Sequence, residues 1–383
     1  MKHFKSLTVL AAVVCLFTPV IAGFAQQGPT TQSSETVAKP RKKDAGSDST
    51  VTQPDQEKIP SKFNKKDKEV PEGLPTFTSN VTTVQVDVSV LDNKGRFIPK
   101  IPQGNFRVLE DNVPQQISSF NTGNEAPMTV ALLVEFSNLF QQYWSAGWYQ
   151  TLTAAYGFVE TLKADDYVAV VAYDLKPEIL SDFSTDRRKT MDALARLRIA
   201  GFSESNLYDA LVDTEQRMSN IEGRKAIILL ASGRDTFSKL TFDKARKAIQ
   251  EAGVPVYAIG LLQALREYAD AAGAMGPIAR LDFLQADNQM GTFARETGGQ
   301  AFFPRFYGEF PSIYRAISEA LRNQYSIAYQ PSNQARDGKF RKIKVELVNP
   351  ANGDPLRVTD EKGKAIKYQV IAKSGYTAPR EVE

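Results

Sequence analysis

The sequence contains almost no histidine or cysteine. Among 383 residues there is one of each, His3 and Cys15. Both lie within residues 1–25, where two lysines, an apolar run and a small-residue cleavage pattern are typical of a secretory signal peptide. We therefore expect an exported protein whose mature chain contains neither residue type. Such a chain cannot use a histidine-dependent triad, a cysteine nucleophile, a Cys/His zinc site, an axial histidine for haem or a disulfide.

The sequence also has little net charge. Its 47 basic and 44 acidic residues give a formal charge of +3, which falls to about +1 without the two signal-peptide lysines. No net field would draw the protein to nucleic acid or to an anionic membrane surface. The apolar run of the signal is shorter than the roughly 20 residues of a membrane span, so we expect no transmembrane helix in the mature chain. These features predict a periplasmic, cell-surface or secreted protein that binds no nucleic acid.

Composition and periodicity divide the rest of the chain. Residues 26–77 are rich in Gln, Ser, Thr, Lys, Asp and Pro, which predicts a disordered linker. Alternating apolar residues predict β segments over 78–126 and 323–378, followed by a tail at 379–383. Between the β segments, residues 127–322 alternate short apolar runs with helical periodicity. The two β segments either pair into one small β domain or remain separate, and the sequence leaves both arrangements open.

The apolar runs of the central segment lack the polar alternation of half-buried strands. Strands that are apolar on both faces and alternate with helices indicate a parallel sheet with helices on both sides. We therefore predict a doubly wound, mostly parallel α/β domain. A long connection over residues 263–290 follows the last run and is interpreted as a specificity loop or a neutral insertion, flexible in part. The apolar runs occupy residues 130–134, 167–173, 226–231 and 254–261.

Motifs for nucleotide binding and for a serine nucleophile elbow are missing. No GxGxxG follows the first α/β strand, and neither GxxxxGK[ST] nor GxSxG occurs in the sequence. The spacing of the acidic residues also suggests no acid/base pair. We therefore expect no enzymatic activity. The alternative is a hydrolase that uses Ser137 or Ser232 with a carboxylate or lysine in place of histidine.

Ligands of open α/β sheets bind at the carboxyl ends of the strands. Three polar loops lie at this predicted edge, over residues 134–139, 201–211 and 229–235. Here the sequence resembles a von Willebrand factor A-type domain, which carries DxSxS after its first strand, a threonine in GxTxLxDAL and an aspartate in a strand ending LLTDG. Segments such as ETGGQAFFP and LRNQYSIAYQP extend the resemblance over residues 80–378, to exported A-domain proteins of acidobacteria.

The resemblance implies a Rossmann-like fold and a binding or adhesion function, with a metal-ion-dependent adhesion site for Mg²⁺ or a similar ion. Mg²⁺ requires near-octahedral oxygen ligands and usually one or two carboxylates. Of the oxygen ligands in the motif, this sequence keeps one carboxylate, on a glutamate in place of an aspartate, and three serine hydroxyls. We therefore predict a degenerate site with weak or absent metal binding and no cofactor. The alternatives are a bound Mg²⁺, Mn²⁺ or Ca²⁺, or serines that only cap helix starts and turns. In motif order the positions are Glu135 for the first aspartate, the retained Ser137, Leu139 for the second serine, Ser205 for the threonine and Ser232 for the last aspartate.

Aromatic and acidic residues near the same edge are candidate partner contacts. Exposed aromatic side chains often supply the binding energy of protein interfaces, although this group is equally suited to pack beneath its own loop. We therefore hypothesise a non-catalytic binding or adhesion module for a protein or cell-envelope ligand. The alternative is a structural subunit of an envelope assembly that interacts through its β segments. The candidate contacts are Phe140, Tyr143, Trp144, Glu204 and Asp235.

Overall fold

The computed structural model of this protein covers most of the β and α/β segments that the sequence indicates. The predicted signal peptide and linker lie outside the described residues, as do Leu139 and the aromatic residues Phe140, Tyr143 and Trp144. Export, the linker and the aromatic contacts therefore stay predictions. The described residues are 83–93, 95–122, 126–137, 152, 155–197, 202, 204–359 and 363–380.

The described strands form three larger sheets and one two-stranded ribbon. The strands are β1 (Val84–Asp92), β2 (Phe106–Glu110), β3 (Val113–Gln115), β4 (Ile117–Thr122), β5 (Met128–Glu135), β6 (Tyr167–Tyr173), β7 (Pro177–Ser184), β8 (Arg224–Ala231), β9 (Val256–Gly260), β10 (Ala301–Phe302), β11 (Tyr325–Tyr329), β12 (Phe340–Leu347), β13 (Val358–Thr359), β14 (Ala365–Ile366), β15 (Tyr368–Ile371) and β16 (Gly375–Thr377).

Helices alternate with the strands of the central segment. Residues 155–160 are also helical. Within the described part of the chain, every helix is too short or too polar to span a bilayer. The labelled helices are α1 (Arg187–Arg196), α2 (Leu207–Ser219), α3 (Phe242–Ala252), α4 (Gln263–Ala271), α5 (Pro277–Thr297) and α6 (Phe310–Arg322).

The central sheet has six strands in the order β10-β9-β8-β5-β6-β7. All neighbours are parallel except β6 and β7, which are antiparallel. Strand β5 buries both faces, because Leu132 packs into the core on one side of the sheet and Leu133 into the core on the other. The predicted mostly parallel α/β fold is therefore confirmed.

The N- and C-terminal β segments pair with each other. Strand β1 is antiparallel to both β11 and β15, and β2 is antiparallel to β12. The resulting four-stranded sheets, β15-β1-β11-β4 and β16-β12-β2-β3, contribute to one apolar core that includes Val88, Phe106, Tyr325 and Ile343. Of the two arrangements that the sequence left open, the structure shows the paired one.

The structure differs from the sequence interpretation after β9 and after β6. The long connection expected over residues 263–290 forms helices α4 and most of α5. Proline at the first position of α5 favours its start, and buried Met290 and Phe293 anchor the helix on the core. Strand β7 was not predicted, because its sequence PEILSDFS is partly exposed throughout and shows neither a buried run nor strict alternation.

Candidate functional site

Four predicted site residues meet at the carboxyl edge of the central sheet. Glu135 ends β5 and Ser137 follows it, while Ser232 follows the neighbouring strand β8. Ser205 lies in the loop that leads into α2. These four side chains are between 0% and 3% exposed. The structure therefore brings them together as a closed cluster beneath the surface.

Hydrogen bonds within the protein engage both carboxylate oxygens of Glu135. The Ser137 hydroxyl donates to Oε1 at 2.9 Å, and the Ser232 backbone N–H donates to Oε2 at 2.7 Å. Burial raises the pKa of Glu135 above its usual value, and the bonds from Ser232 and Ser137 partly offset this increase. The carboxylate thus acts as an acceptor that joins the ends of two parallel strands.

Tyr173 belongs to the same cluster, and the sequence analysis missed it. It ends β6 directly opposite Glu135 in the sheet register. Burial, followed by the charge of Glu135, raises the pKa of its phenol well above the usual value. Ser205 influences the ionisation of both residues, yet neither the Ser205 nor the Tyr173 hydroxyl makes a well-aligned hydrogen bond to a described residue. The signal in the sequence was that the run YVAVVAY ends in a polar aromatic residue.

The two acidic residues predicted to contact a partner have different surroundings. Asp235 is partly buried, and its Oδ1 accepts bonds from the Tyr208 backbone N–H at 3.2 Å and from the Ser238 hydroxyl at 2.5 Å. It therefore ties the loop after β8 to the first turn of α2. Burial raises its pKa. Glu204 is partly exposed, and it lies in the loop before α2, beside Ser205.

A small cleft lies beside this cluster. It measures about 180 Å³ between the loop after β8 and helix α5. The Tyr208 hydroxyl donates to Gln289 Oε1 at 2.9 Å, which joins α2 to α5 across the cleft. Phe202 and Phe237, in the loops on this edge, are each more than half exposed. We call these two residues and the cleft the rim; the cleft is lined by Tyr208, Gly233, Arg234, Asp235, Thr236, Asp282, Gln285, Ala286 and Gln289.

The fold and the loops at this edge agree with the family comparison. Residues 130–279 match the family model of the von Willebrand factor type A domain. This part of the chain is a von Willebrand factor type A domain. A comparison with curated proteins gave no match.

Several solved structures are similar to this chain. Proximal thread matrix protein 1 from the mussel byssus shares 12% identity, with coverage of 56% of this chain and 51% of that chain and a TM-score of 0.41. A von Willebrand factor type A protein from Catenulispora acidiphila shares 12% identity, covering 79% and 76%, with a TM-score of 0.39. The vWF domain of the type V pili tip protein Mfa5 from Porphyromonas gingivalis shares 14% identity, covering 52% and 97%, also with a TM-score of 0.39. The match thus spans about half the length of the mussel protein.

The residues of this type A domain do not fit an ordinary Mg²⁺ site. Glu135 is the one carboxylate of the buried cluster, and its two oxygens already accept hydrogen bonds. The Ser232 backbone N–H that bonds to Oε2 cannot ligate a cation, and the Ser232 hydroxyl already accepts from the Arg234 backbone N–H. The described residues contain no group of three or more Asp or Glu side chains placed to hold a metal ion. A hard divalent cation would therefore meet too few charged oxygen ligands here.

Proposed function

We propose that this protein is an exported, non-catalytic binding module that recognises a protein or cell-envelope ligand at the carboxyl edge of its type A domain, without an ordinary adhesion-site metal. One observation carries the proposal: Glu135 is fully buried and both of its oxygens are bonded within the protein. The position that would present a metal-binding carboxylate to a ligand is instead part of the domain core.

Metal binding would have to disrupt this arrangement. An ion bound to a Glu135 oxygen would compete with the hydrogen bonds from the Ser137 hydroxyl and the Ser232 N–H, each of which already occupies one of the two oxygens. Leaving a buried donor unpaired costs about 1–3 kcal/mol, and the remaining hydroxyls are weak ligands for a hard cation. We therefore expect the cluster to stabilise the edge of the sheet and the ligand to bind above it.

The rim supports a direct protein contact. Phe202 and Phe237 are exposed there, and Leu281 and Leu284 are exposed on α5, which lines the cleft. Clustered apolar side chains on a soluble domain commonly mark an interaction surface. We propose that Glu204 and the aromatic residues 140, 143 and 144, which follow β5, extend the same surface.

A hydrolase is a poorer fit to the cluster. The two serines considered as nucleophiles, Ser137 and Ser232, are 1% and 3% exposed, so a substrate has no access to their hydroxyls. The Ser137 hydroxyl also donates to Glu135, and the Ser232 hydroxyl accepts from the Arg234 backbone N–H at 3.1 Å. Both therefore have structural partners.

Calorimetric titration of the purified protein with Mg²⁺ and Mn²⁺ after EDTA treatment tests the metal-independent mechanism. We expect no saturable binding up to millimolar ion and an unchanged melting temperature. Saturable binding that is lost in Glu135→Ala and retained in Glu204→Ala would contradict the proposal. Glu204→Ala is the matched control, because it removes a carboxylate from the same edge without disturbing the buried cluster.

A further inference from the structure

A second cleft lies away from the rim, between helix α3 and the last strand. Its volume is about 620 Å³, and it shares no lining residue with the rim cleft. Helix α3 and β16 form its two walls, so it joins the type A domain to the β segments. The lining residues are Lys244, Lys247, Ala248, Glu251, Thr377 and Arg380.

The cleft is rich in exposed positive charge. Lys244, Lys247 and Arg380 are exposed, and no ion pair with a described residue involves any of them. Arg246, on the same helix, is different: it forms an ion pair of 2.5 Å with Glu296 of α5. On helix α3, Arg246 therefore stabilises the packing against α5, whereas Lys244 and Lys247 line the cleft. Glu251 is the single carboxylate in the lining.

The opposite wall offers backbone groups. Strand β16 is at the edge of its sheet, with β12 on one side. Tyr376 pairs with Arg341, and the Ala378 N–H donates to the Lys339 carbonyl. Backbone groups of successive residues in a strand point to opposite sides. Thr377, between them, therefore directs its N–H and C=O away from β12 and toward the cleft.

We propose that this cleft binds an acidic, extended peptide segment of a partner protein. Acidic side chains of the peptide would pair with Lys244, Lys247 and Arg380, and its backbone would pair with Thr377, as a strand added to a sheet edge does. Glu251 repels an acidic residue at its end of the cleft and so favours one direction of the peptide. This site goes beyond the proposed function, because the rim takes no part in it.

A labelled peptide of alternating Glu and Thr, measured by fluorescence anisotropy with the full protein, tests the proposal. The double variant Lys244→Glu, Lys247→Glu should bind at least about tenfold more weakly, because two attractions become repulsions. Binding by the unchanged protein should weaken as salt is added. The matched control is Lys100→Glu, Lys367→Glu, which makes the same charge change at two exposed lysines outside the cleft and should bind as the unchanged protein does.

Further measurements distinguish an acidic peptide from other ligands of the cleft. A peptide with Gln in place of Glu should not bind, and Arg380→Gln should weaken binding without a change in melting temperature. Equal binding of the Gln peptide, or unchanged binding by the double lysine variant, would overturn the proposal. Complete displacement by an equal concentration of inorganic phosphate, or capture by phosphatidylserine vesicles without peptide binding, would also overturn it. Phe237→Ser changes the rim, where the proposed ligand binds, and should leave binding of the acidic peptide unchanged. The peptide proposal can therefore fail or succeed independently of the proposed function at the rim.

Discussion

Glu135 and Ser232 are 97 positions apart in sequence, yet the backbone N–H of Ser232 lies 2.7 Å from Glu135 Oε2. The contact forms because β5 and β8 are parallel neighbours and end at the same edge. In the motif that the sequence resembles, aspartates occupy both positions. Here one carboxylate is longer and the other is replaced, so the remaining one reaches across to the facing backbone.

This relationship predicts different effects for two substitutions of Glu135. The glutamine of Glu135→Gln can accept from the Ser232 N–H with its oxygen and donate to the Ser137 hydroxyl with its amide, so we expect a change in the free energy of unfolding within about 1 kcal/mol. Glu135→Ala leaves both groups unpaired beside a cavity and should lower that free energy by about 2–4 kcal/mol. Urea unfolding at neutral pH measures both values. Equal losses for the two variants would show that the hydrogen bonds of Glu135 do not stabilise the edge.

Two buried tyrosines should respond differently to the same substitution. The Tyr173 hydroxyl makes no well-aligned hydrogen bond to a described residue, so Tyr173→Phe should leave the free energy of unfolding unchanged or raise it by up to about 1 kcal/mol. The Tyr329 hydroxyl donates to the buried Glu110 Oε2 at 2.7 Å. Tyr329→Phe should therefore lower the free energy of unfolding by about 1–3 kcal/mol.

Each tyrosine variant controls for the other, because both lose one hydroxyl from a fully buried ring. Tyr376 also donates to Glu110 Oε2, at 3.1 Å, so the carboxylate keeps one partner in Tyr329→Phe. Thermal melts and urea unfolding of the two variants provide the measurement. A larger loss in Tyr173→Phe than in Tyr329→Phe would indicate that the Tyr173 hydroxyl bonds to Ser205 or Glu135 within the cluster.

Much of the fold was predictable because buried strands have a simple pattern. Leu132 and Leu133 are both apolar and point to opposite faces, which only a sheet covered on both sides accommodates. The convergence of Glu135 and Ser232 also followed from the sequence, since the carboxyl ends of parallel strands share an edge, whereas Ser205 was assigned to the site through the motif resemblance. Strand β7 did not follow, because its partly exposed sequence shows neither a buried run nor strict alternation.

The closure of the candidate site was not predictable from residue types. Whether Glu135 faces solvent or the Ser232 backbone depends on side-chain conformation and on the exact position of the loop after β8. The role of Asp235 shows the same limit: its carboxylate suits a partner contact, but the loop turns it toward the Tyr208 N–H and the Ser238 hydroxyl. Sequence patterns locate such residues at an edge without specifying their bonds.

The buried Glu215 should make stability depend on pH. It lies in α2 with 0% exposure, its Oε2 accepts from the Val254 backbone N–H at 3.2 Å, and Lys225 is the nearby cation. Burial raises its pKa well above the usual value of 4.5. The folded state therefore binds a proton on the Glu215 carboxyl more tightly than the unfolded state does. The stabilisation of the folded state that results from this protonation is fully present below about pH 4.5 and is lost as the pH rises through the raised pKa.

Glu215→Gln removes this titration. The free energy of unfolding of the variant, minus that of the unchanged protein, should therefore increase as the pH rises from 4.5 to 8. Urea unfolding at intervals across that range gives the two curves. The exposed Glu160→Gln is the control and should follow the unchanged protein. Parallel curves for Glu215→Gln and the unchanged protein would contradict the prediction.

Two aspartates that pair with arginines should differ strongly in their contribution to stability. Asp166 is fully buried, and it accepts from the Met128 N–H at 2.9 Å and the Lys163 N–H at 2.7 Å in addition to its 2.6 Å ion pair with Arg322 of α6. Asp166→Ala should lower the free energy of unfolding by about 3–5 kcal/mol, because it leaves two backbone donors and a partly buried arginine without their acceptor.

The matched control is Asp213, whose 2.7 Å pair with Arg217 lies on the exposed face of α2. Water and mobile ions screen that pair, so Asp213→Ala should cost less than about 1 kcal/mol. Both variants are measured by urea unfolding under the same conditions. A similar loss in the two would mean that the Asp166 network does not hold the start of β5 and the end of α6 together, and that these elements depend on their apolar contacts alone.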